Sequence, residues 1–321
     1  ELRALEAFVD DPVFQKEFLA VKQANKQRVA RLIRERLGMD VDPNSLFDLQ
    51  VKRIHEYKRQ LLNALQVVAR YNRIRMSGPE GIQPRTVIFS GKAAPGYVMA
   101  KRIIRLINAI ADTINNDPAI NGALKIVFIP NYDVQTAQDL IPAADLSEQI
   151  STAGTEASGT GNMKFALNGA LTIATHDGAN DEIAEAVGDE NMFMFGNTVE
   201  ELRHLRGNGY DPDAIYESNR ELKRVLDMIR DGYFSPEQRN LFVPIFDSLV
   251  RQGDHYMVLA DYEAYVACQA NVDTAFKDQK EWTRKTIQNV ANVGRFSVDR
   301  LVQQYASDVW NAKPISEGSN A

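Results

Sequence analysis

The sequence predicts an α/β fold: a doubly wound parallel sheet followed by an extension made almost entirely of helices. Two observations support this prediction. Short apolar runs that end in Gly, Pro or Asn alternate with segments whose apolar residues recur at helical spacing, which is the pattern of βαβ units. After about residue 197 the strand-like runs stop and helical spacing dominates.

The chain opens with a predicted amphipathic helix over residues 12–38, with its apolar stripe at Phe14, Phe18, Val21, Val29 and Ile33. Strands are then expected at residues 46–51, 86–89, 124–129, 145–150, 170–175 and 192–195. Helices are expected at residues 57–76, from Pro95-Gly96 through Ile114, and at 160–168. We therefore divide the chain into a helical segment at 1–45, an α/β domain at 46–197 and a helical extension at 198–321, which ends in a polar tail at 316–321.

Composition limits the classes of function. With 44% hydrophobic residues the chain has enough apolar residues for one large core, and it contains no run of about 18 apolar residues that would predict a membrane span. A net charge of −6 argues against general nucleic-acid binding. The single cysteine, Cys268, excludes an internal disulfide, predicts a buried thiol and favours a reducing cytoplasm. The four histidines have no metal-ligand spacing, and Glu1 is not followed by a secretory leader.

Ligands of such a sheet lie outside the carboxyl ends of the strands, which makes three loops the candidates: residues 52–58, 131–133 and 151–164. The first loop begins a basic cluster of Lys52, Arg53, Lys58 and Arg59 around Glu56. From the charges alone, a solvated helix face is the simpler interpretation, and a focused anion site is the alternative.

The third loop carries the most chemical information. Small residues dominate positions 157–161, so the backbone can approach a ligand closely. A helix that starts near Thr160 would present free N–H groups to a phosphate. Lys164, about one turn further, has three interpretations: a cation for phosphate, an amine that forms an imine with an aldehyde cofactor, or an exposed lysine on an ordinary helix.

Six separated segments together resemble the α-glucan phosphorylases of the glycogen, maltodextrin or starch type. They are VKRIHEYKRQLLN at 51–63, GKAAPGY at 91–97, IPAADLSEQISTAG at 141–154, EASGTGNMKFALNGALT at 156–172, DYEAY at 261–265 and EWTR at 281–284. The resemblance runs nearly end to end. It implies that the chain corresponds to the C-terminal, Rossmann-like lobe of the two-lobed GT-B glycosyltransferase fold.

The resemblance also implies a cofactor and a set of site residues. Lys164 would form a Schiff base with pyridoxal 5′-phosphate, and the groups that hold the rest of this cofactor would be Lys52, the backbone of Gly159, Thr160 and Gly161, Tyr132 and Gln149. Arg53 and Lys58 would bind the substrate phosphate and, with Lys164, form the catalytic set. Hydroxyls of the transferred glucosyl unit would meet Glu156, Ser158 and Gly159.

The activity implied is phosphorolysis of an α-1,4-glucan by inorganic phosphate, which gives glucose 1-phosphate with retained configuration. The N-terminal lobe of such an enzyme supplies part of the sugar pocket. We therefore expect this chain to be inactive alone, and to form a cytoplasmic homodimer when complete. The alternatives are a nucleotide-sugar glycosyltransferase lobe of the glycogen synthase kind, a non-catalytic phosphate- or carbohydrate-binding domain, and a transaminase that uses Lys164.

Four positions depart from the family pattern. Ala174 stands where the family usually has Gly, His176 where it has an apolar residue and Asp181 where it has an aliphatic one. Asp133 stands where many members carry Arg. We interpret these changes as subfamily variation, because the predicted phosphate-binding groups are intact; altered cofactor affinity is the alternative.

Overall fold

A computed structural model describes residues 1–313, so the predicted polar tail at 316–321 lies outside the described residues. Six parallel strands form one sheet in the order β3-β2-β1-β4-β5-β6. The strands are β1 Leu46–Val51, β2 Arg85–Ser90, β3 Leu124–Ile129, β4 Leu146–Gln149, β5 Leu171–Ala174 and β6 Phe193–Met194. The predicted α/β parallel fold is confirmed, and each strand overlaps its predicted range.

The helices are α1 Pro12–Leu37, α2 Gln60–Ser77, α3 Val98–Asn115, α4 Val134–Leu140, α5 Gly161–Leu167, α6 Asn180–Val187, α7 Val199–Gly207, α8 Pro212–Ser218, α9 Arg220–Arg230, α10 Val243–Val250, α11 Val258–Lys277, α12 Gln279–Asn292 and α13 Val298–Asp308. Short 3-10 turns join several of them.

The two faces of the sheet are covered by different helices, because side chains alternate across each strand. On β1, Leu46 joins a core cluster that includes residues of α2, α3 and α9–α11. Its neighbour Phe47 joins a second cluster that includes Val29 and Ile33 of α1. The later helices thus share a hydrophobic core with the sheet, although the predicted division at residues 45 and 197 stays a prediction.

The buried face of α1 differs from the predicted apolar stripe. Val29 and Ile33 are buried as expected, but Val21 is 64% exposed, and Lys22 and Lys26 face inward instead. Lys22 donates from Nζ to the carbonyl oxygens of residues 142, 144 and 168, at 2.6–3.0 Å. Three carbonyls replace its water shell, although burial still lowers the pKa of Lys22 to about 8.

The predicted helix over residues 57–76 is wrong at its start. Residues Glu56–Lys58 form a 3-10 turn, and α2 begins only at Gln60. The break occurs at Arg59, whose φ of +55° is left-handed and cannot continue a helix. Two further helices, α4 and α6, were not predicted; each has only seven or eight residues.

The last described helix, α13, has no buried residue. Its exposed face carries large apolar side chains at Val298, Leu301, Val302 and Tyr305, and Trp310 follows it. Within residues 1–313, nothing buries this apolar surface, in contrast to the preceding α12, which packs by Trp282 and Ile287 into the protein.

Candidate active site

The candidate site lies where the strand order of the sheet reverses, between β1 and β4. These strands pair side by side, and both loops that follow them were predicted as site loops. In doubly wound sheets, ligands bind in the crevice that opens at this point. Lys52, the first residue after β1, donates from Nζ to Oε1 of Gln149, the last residue of β4, at 2.6 Å. Two of the three predicted loops therefore meet here.

Lys52 is held by its backbone as well as by its side chain. Its N–H donates to the Ser90 carbonyl at the end of β2, at 3.0 Å. A Cβ added at Gly91 would lie 2.0 Å from the Lys52 carbonyl oxygen, so only glycine fits beside it. Burial, with a smaller contribution from the charge of Lys58, lowers the pKa of Lys52 to about 7. Near neutral pH both protonation states of this amine are therefore accessible, and a bound anion would favour the charged form.

Lys58 and Glu156 join the two loops through an ion pair between Nζ and Oε2. The Tyr57 hydroxyl donates to the same oxygen at 3.1 Å. Burial opposes both charges, but the mutual attraction outweighs it: the pKa of Lys58 is raised, and the pKa of Glu156 is lowered. A cation and a carboxylate, each accessible to a ligand, thus stand side by side near Lys52.

The basic cluster predicted at residues 52–59 is split by the fold. Arg59 points into the protein, where its guanidinium is fully buried and donates to Asp261 at 2.6 Å and to three carbonyls, of Ile150, Ser151 and Met257. Because it is fully buried, Arg59 is not accessible to a ligand and belongs to the scaffold. Arg53 is exposed beside Lys52, as the side chain of a ligand-binding residue would be.

The loop after β4 leads into α5 along the same crevice. Gly159 has a φ of +78°, which other residues rarely adopt, and Thr160 is the N-cap residue of α5, which begins at Gly161, one residue after its predicted start. A Cβ added at Gly161 would lie 4.0 Å from Nε2 of Gln149, the side chain that receives Lys52. Lys164 follows one turn later and is exposed. Ser158 is exposed as well.

Tyr132 follows β3, two strands away from β1 in the sheet. It is half-buried and packs against the core cluster that contains Phe165, the residue after Lys164. Burial raises the pKa of its hydroxyl. Tyr132 thus packs against the same core cluster as Phe165 of α5, and its contact with a cofactor ring stays a prediction.

Three groups beside the crevice have the chemistry of phosphate-binding donors. They are the amine of Lys52, the glycine-rich backbone at 159–161 that opens α5, and the neighbouring amine of Lys58.

Within residues 1–313, no group of three or more His, Cys, Asp or Glu side chains is arranged to hold a metal ion. No described helix is long and apolar enough to cross a membrane. Cys268 is buried as predicted, and burial raises its pKa to about 12.

The departures from the family pattern have local structural partners. Asp133 is the N-cap residue of α4 and accepts from the Thr136 N–H at 2.8 Å, which lowers its pKa. His176 and Asp181 pair with each other through Nδ1 and Oδ1 at 2.8 Å on the surface. Ala174 is buried in a small core cluster with residues of α6. The partners of Asp133, His176 and Asp181 do not include Lys52, Lys58 or Gln149, whereas Ala174 is the register partner of Gln149 between β5 and β4.

Sequence reasoning missed three polar residues that support the loop after β4. Asn162 donates from Nδ2 to Asn180 at 3.1 Å, and Asn180 donates in turn to the Gln149 carbonyl at 3.3 Å. Asp177 accepts hydrogen bonds from that loop's own backbone. A sequence signal was available for two of them. Asp177 and Asn180 follow a predicted strand, and site residues of such folds concentrate after strands.

Comparison with known proteins gives one consistent result. A family model described as carbohydrate phosphorylase matches residues 1–312. The glycogen phosphorylase of Homo sapiens muscle is 52% identical over 314 residues, which cover 98% of this chain and 37% of that protein. The glycogen phosphorylase of Synechocystis sp. is 53% identical over 315 residues, again 98% of this chain and 37% of the relative. The chain thus spans little more than a third of the length of these relatives.

Proposed function

The chain belongs to the carbohydrate phosphorylase family, and from this premise we propose that it carries the cofactor half of a glucan phosphorylase site. The complete enzyme would transfer the terminal glucosyl unit of an α-1,4-glucan to inorganic phosphate. An oxygen of hydrogen phosphate bonds to the anomeric carbon, the bond from that carbon to the glucan oxygen breaks, and the proton of the hydrogen phosphate ends on the departing glucan oxygen. The observation that supports this most directly is the meeting of Lys52, Gln149 and the start of α5 at the strand-order reversal.

The cofactor in this proposal is pyridoxal 5′-phosphate, bound covalently through the amine of Lys164. Its phosphate supplies proton transfer next to the substrate phosphate when bound. Lys52 and the backbone at 159–161 would hold that phosphate, with Gln149 fixing Lys52 and Tyr132 beside the ring. The residues fit this phosphate by their donor chemistry. Lys52 supplies an amine of lowered pKa, and the glycine-rich backbone at 159–161 supplies N–H groups at the start of the short helix α5.

The substrates would occupy the other half of the same crevice. Arg53 and Lys58 would bind inorganic phosphate, and two phosphate groups side by side need this positive charge to offset their repulsion. Glu156, Ser158 and Gly159 would take the hydroxyls of the glucosyl unit. Since Lys58 now pairs with Glu156, phosphate and sugar would each displace one partner of that ion pair.

The partner in this proposal is the N-terminal lobe of the same enzyme, which would close the crevice and complete the sugar pocket. The relatives are almost three times as long as the chain, since it spans 37% of their length. The exposed apolar face of α13 is a surface of the kind that a second lobe covers. We propose that the chain alone has little phosphorolysis, and that the complete enzyme is a cytoplasmic homodimer.

The first test is an absorbance spectrum of the purified chain with pyridoxal phosphate, before and after borohydride reduction, followed by peptide mapping. We expect a near-ultraviolet band and a reduced adduct on Lys164. The variant Lys164→Ala should lose this adduct, whereas Lys101→Ala, which removes an exposed lysine of α3, should keep it. Adducts scattered over surface lysines would contradict the cofactor site.

The second test joins the chain to an N-terminal lobe and measures glucose 1-phosphate formation from a glucan and inorganic phosphate. We expect activity in the joined protein and almost none in the chain alone. Robust activity of the chain alone would overturn the proposal that the second lobe completes the site. Adduct formation without activity in the joined protein would overturn the proposed reaction while leaving the cofactor site intact.

A further inference from the structure

Asp177 organises the loop that follows β4, although it touches none of the predicted ligand-binding side chains. It lies just after β5 and is almost fully buried. Its carboxylate accepts from the Ser151 hydroxyl at 2.5 Å, from the Gly154 N–H at 2.9 Å and from the Glu156 N–H at 2.9 Å. One carboxylate therefore fixes three points of a six-residue stretch, and hydrogen bonds to a charged acceptor are the stronger ones.

The residues after Asp177 hold the second half of the same loop. Gly178 has a φ of +55°, and a Cβ there would lie 2.5 Å from the Ser158 carbonyl oxygen, so the turn passes directly beside Ser158. The next N–H, of Ala179, donates to that carbonyl at 2.8 Å. The turn thus contacts the loop on both sides of Ala157.

Apart from Asp177 and its turn, the loop is held mainly at its two ends. Thr152 donates from its N–H to the Tyr57 carbonyl at 3.0 Å and from its hydroxyl to the Tyr256 carbonyl at 2.7 Å, and the Ser158 carbonyl accepts from Asn162 Nδ2 at 3.2 Å. Gly154, Thr155, Ala157 and Ser158 are exposed, and the glycines allow many backbone conformations. The side chain of Glu156 reaches the opposite loop only through Lys58 and Tyr57. Where Glu156 and Ser158 sit relative to β1 therefore depends on what holds their backbone.

We propose that Asp177 is a positioning residue: with the turn through Ala179, it sets the location of Glu156 and Ser158 at the sugar side of the site. This inference rests on the proposed function only for the sugar. The arrangement of the loop by Asp177 is a claim about this chain itself. Neither the spacing of the motifs nor the predicted site residues assigned Asp177 a role.

The first experiment measures amide hydrogen exchange of the full chain for Asp177→Asn. The amide side chain keeps one oxygen but turns an NH₂ group toward a backbone donor, so the Gly154 or Glu156 N–H loses its acceptor. We expect exchange over residues 151–158 to become about tenfold faster, the effect of losing one charge-assisted hydrogen bond. The control Asp181→Asn changes an exposed carboxylate four residues away and should leave the amide exchange of residues 151–158 unchanged. Unchanged exchange in Asp177→Asn would overturn the proposal.

The second variant, Ser151→Ala, keeps the inference testable if Asp177→Asn does not fold. It removes one donor to Asp177 without adding a charge or an amide, and it should raise exchange of the same peptide to a smaller extent. A rise spread over the whole chain, rather than confined to residues 151–158, would mean that Asp177 serves general stability and would overturn its positioning role.

The closing experiment uses the chain joined to an N-terminal lobe. We expect Asp177→Asn to lower kcat about 10²-fold, the order found for small misplacements of binding groups. Cofactor loading on Lys164 and KM for inorganic phosphate should change little, because Lys52 and Lys58 keep their positions. Unchanged kcat with faster exchange would overturn the positioning role. If the unmodified joined protein has no phosphorolysis, the proposed function fails, while the exchange experiment still decides whether Asp177 arranges the loop.

Discussion

Lys58 and Arg59 are neighbours in the chain, yet their ion pairs belong to two different regions of the molecule. Lys58 pairs with Glu156 in the crevice, where the two side chains remain 17% and 24% exposed. Arg59 pairs with Asp261 of α11, and both side chains are fully buried. The left-handed backbone at Arg59 sends the two side chains in different directions.

The difference shows how one basic segment supplies both an accessible ion pair and a buried one. The Lys58 pair stays accessible, so a ligand can replace either partner at modest cost. The Arg59 pair also bonds to a further segment of the chain. Asp261 accepts hydrogen bonds from the backbone N–H and the side-chain Nδ2 of Asn197, at 2.8 and 2.6 Å. Arg59 therefore ties the start of α2 to α11 and holds the Lys58 turn in place.

The largest loss of stability is expected when the buried Arg59–Asp261 pair is broken. Asp261→Asn leaves the Arg59 guanidinium buried without a counter-charge, which should lower the free energy of unfolding by about 3–5 kcal/mol. Urea denaturation of the chain measures this. The control Arg203→Met breaks the exposed pair with Glu200 and should change stability by less than about 1 kcal/mol. A comparably small loss in Asp261→Asn would break the distinction between the two regions.

An intermediate effect on stability is expected at Lys52, and its size depends on pH. Its folded-state pKa of about 7 lies below the ordinary value of 10.5, so the unfolded chain binds more protons between these two values. The destabilisation from burying the charge is therefore fully present below about pH 7 and declines as the pH rises toward 10.5.

Lys52→Met should remove this destabilisation. We expect the variant to gain more stability at pH 6 than at pH 9, by on the order of 1–3 kcal/mol, as measured by denaturation at both values. Lys101→Met, at an exposed position, should show no such pH dependence. A gain that is equal at both pH values would contradict a lowered pKa for Lys52.

The smallest effect on stability is expected at the accessible pair. Glu156→Gln should change the free energy of unfolding by less than about 1 kcal/mol at pH 7, because the pair is partly solvated. The pKa of Glu156 is lowered in the fold, so its contribution is present above the unfolded value and is lost as the pH falls through the folded value. The difference from wild type should thus vanish in acid. A loss comparable to that of Asp261→Asn would place this pair in the scaffold instead.

Much of the fold was accessible from the sequence, because strands and long helices depend on local patterns. The runs at 46–51 and 124–129 match their strands to the residue, since strands of a buried parallel sheet are mostly apolar, although Asp48, Gln50 and Lys125 interrupt them. The short helices α4 and α6 were missed, because seven or eight residues barely repeat a helical period. Val21 was misplaced for another reason: three carbonyls from distant loops make Lys22 the better inward residue.

The sequence by itself determined the family, the parallel α/β class and the residues from which a phosphate site would be built. Only the tertiary structure decided which of these residues face the crevice. Lys58 and Arg59 have the same charge and adjacent positions, but Arg59 is buried because Asp261, 202 residues away, completes its hydrogen bonds. The role of Asp177 was decided in the same way, by three donors from another loop. The environment of a charge depends on groups that the fold brings together, and no local pattern records them.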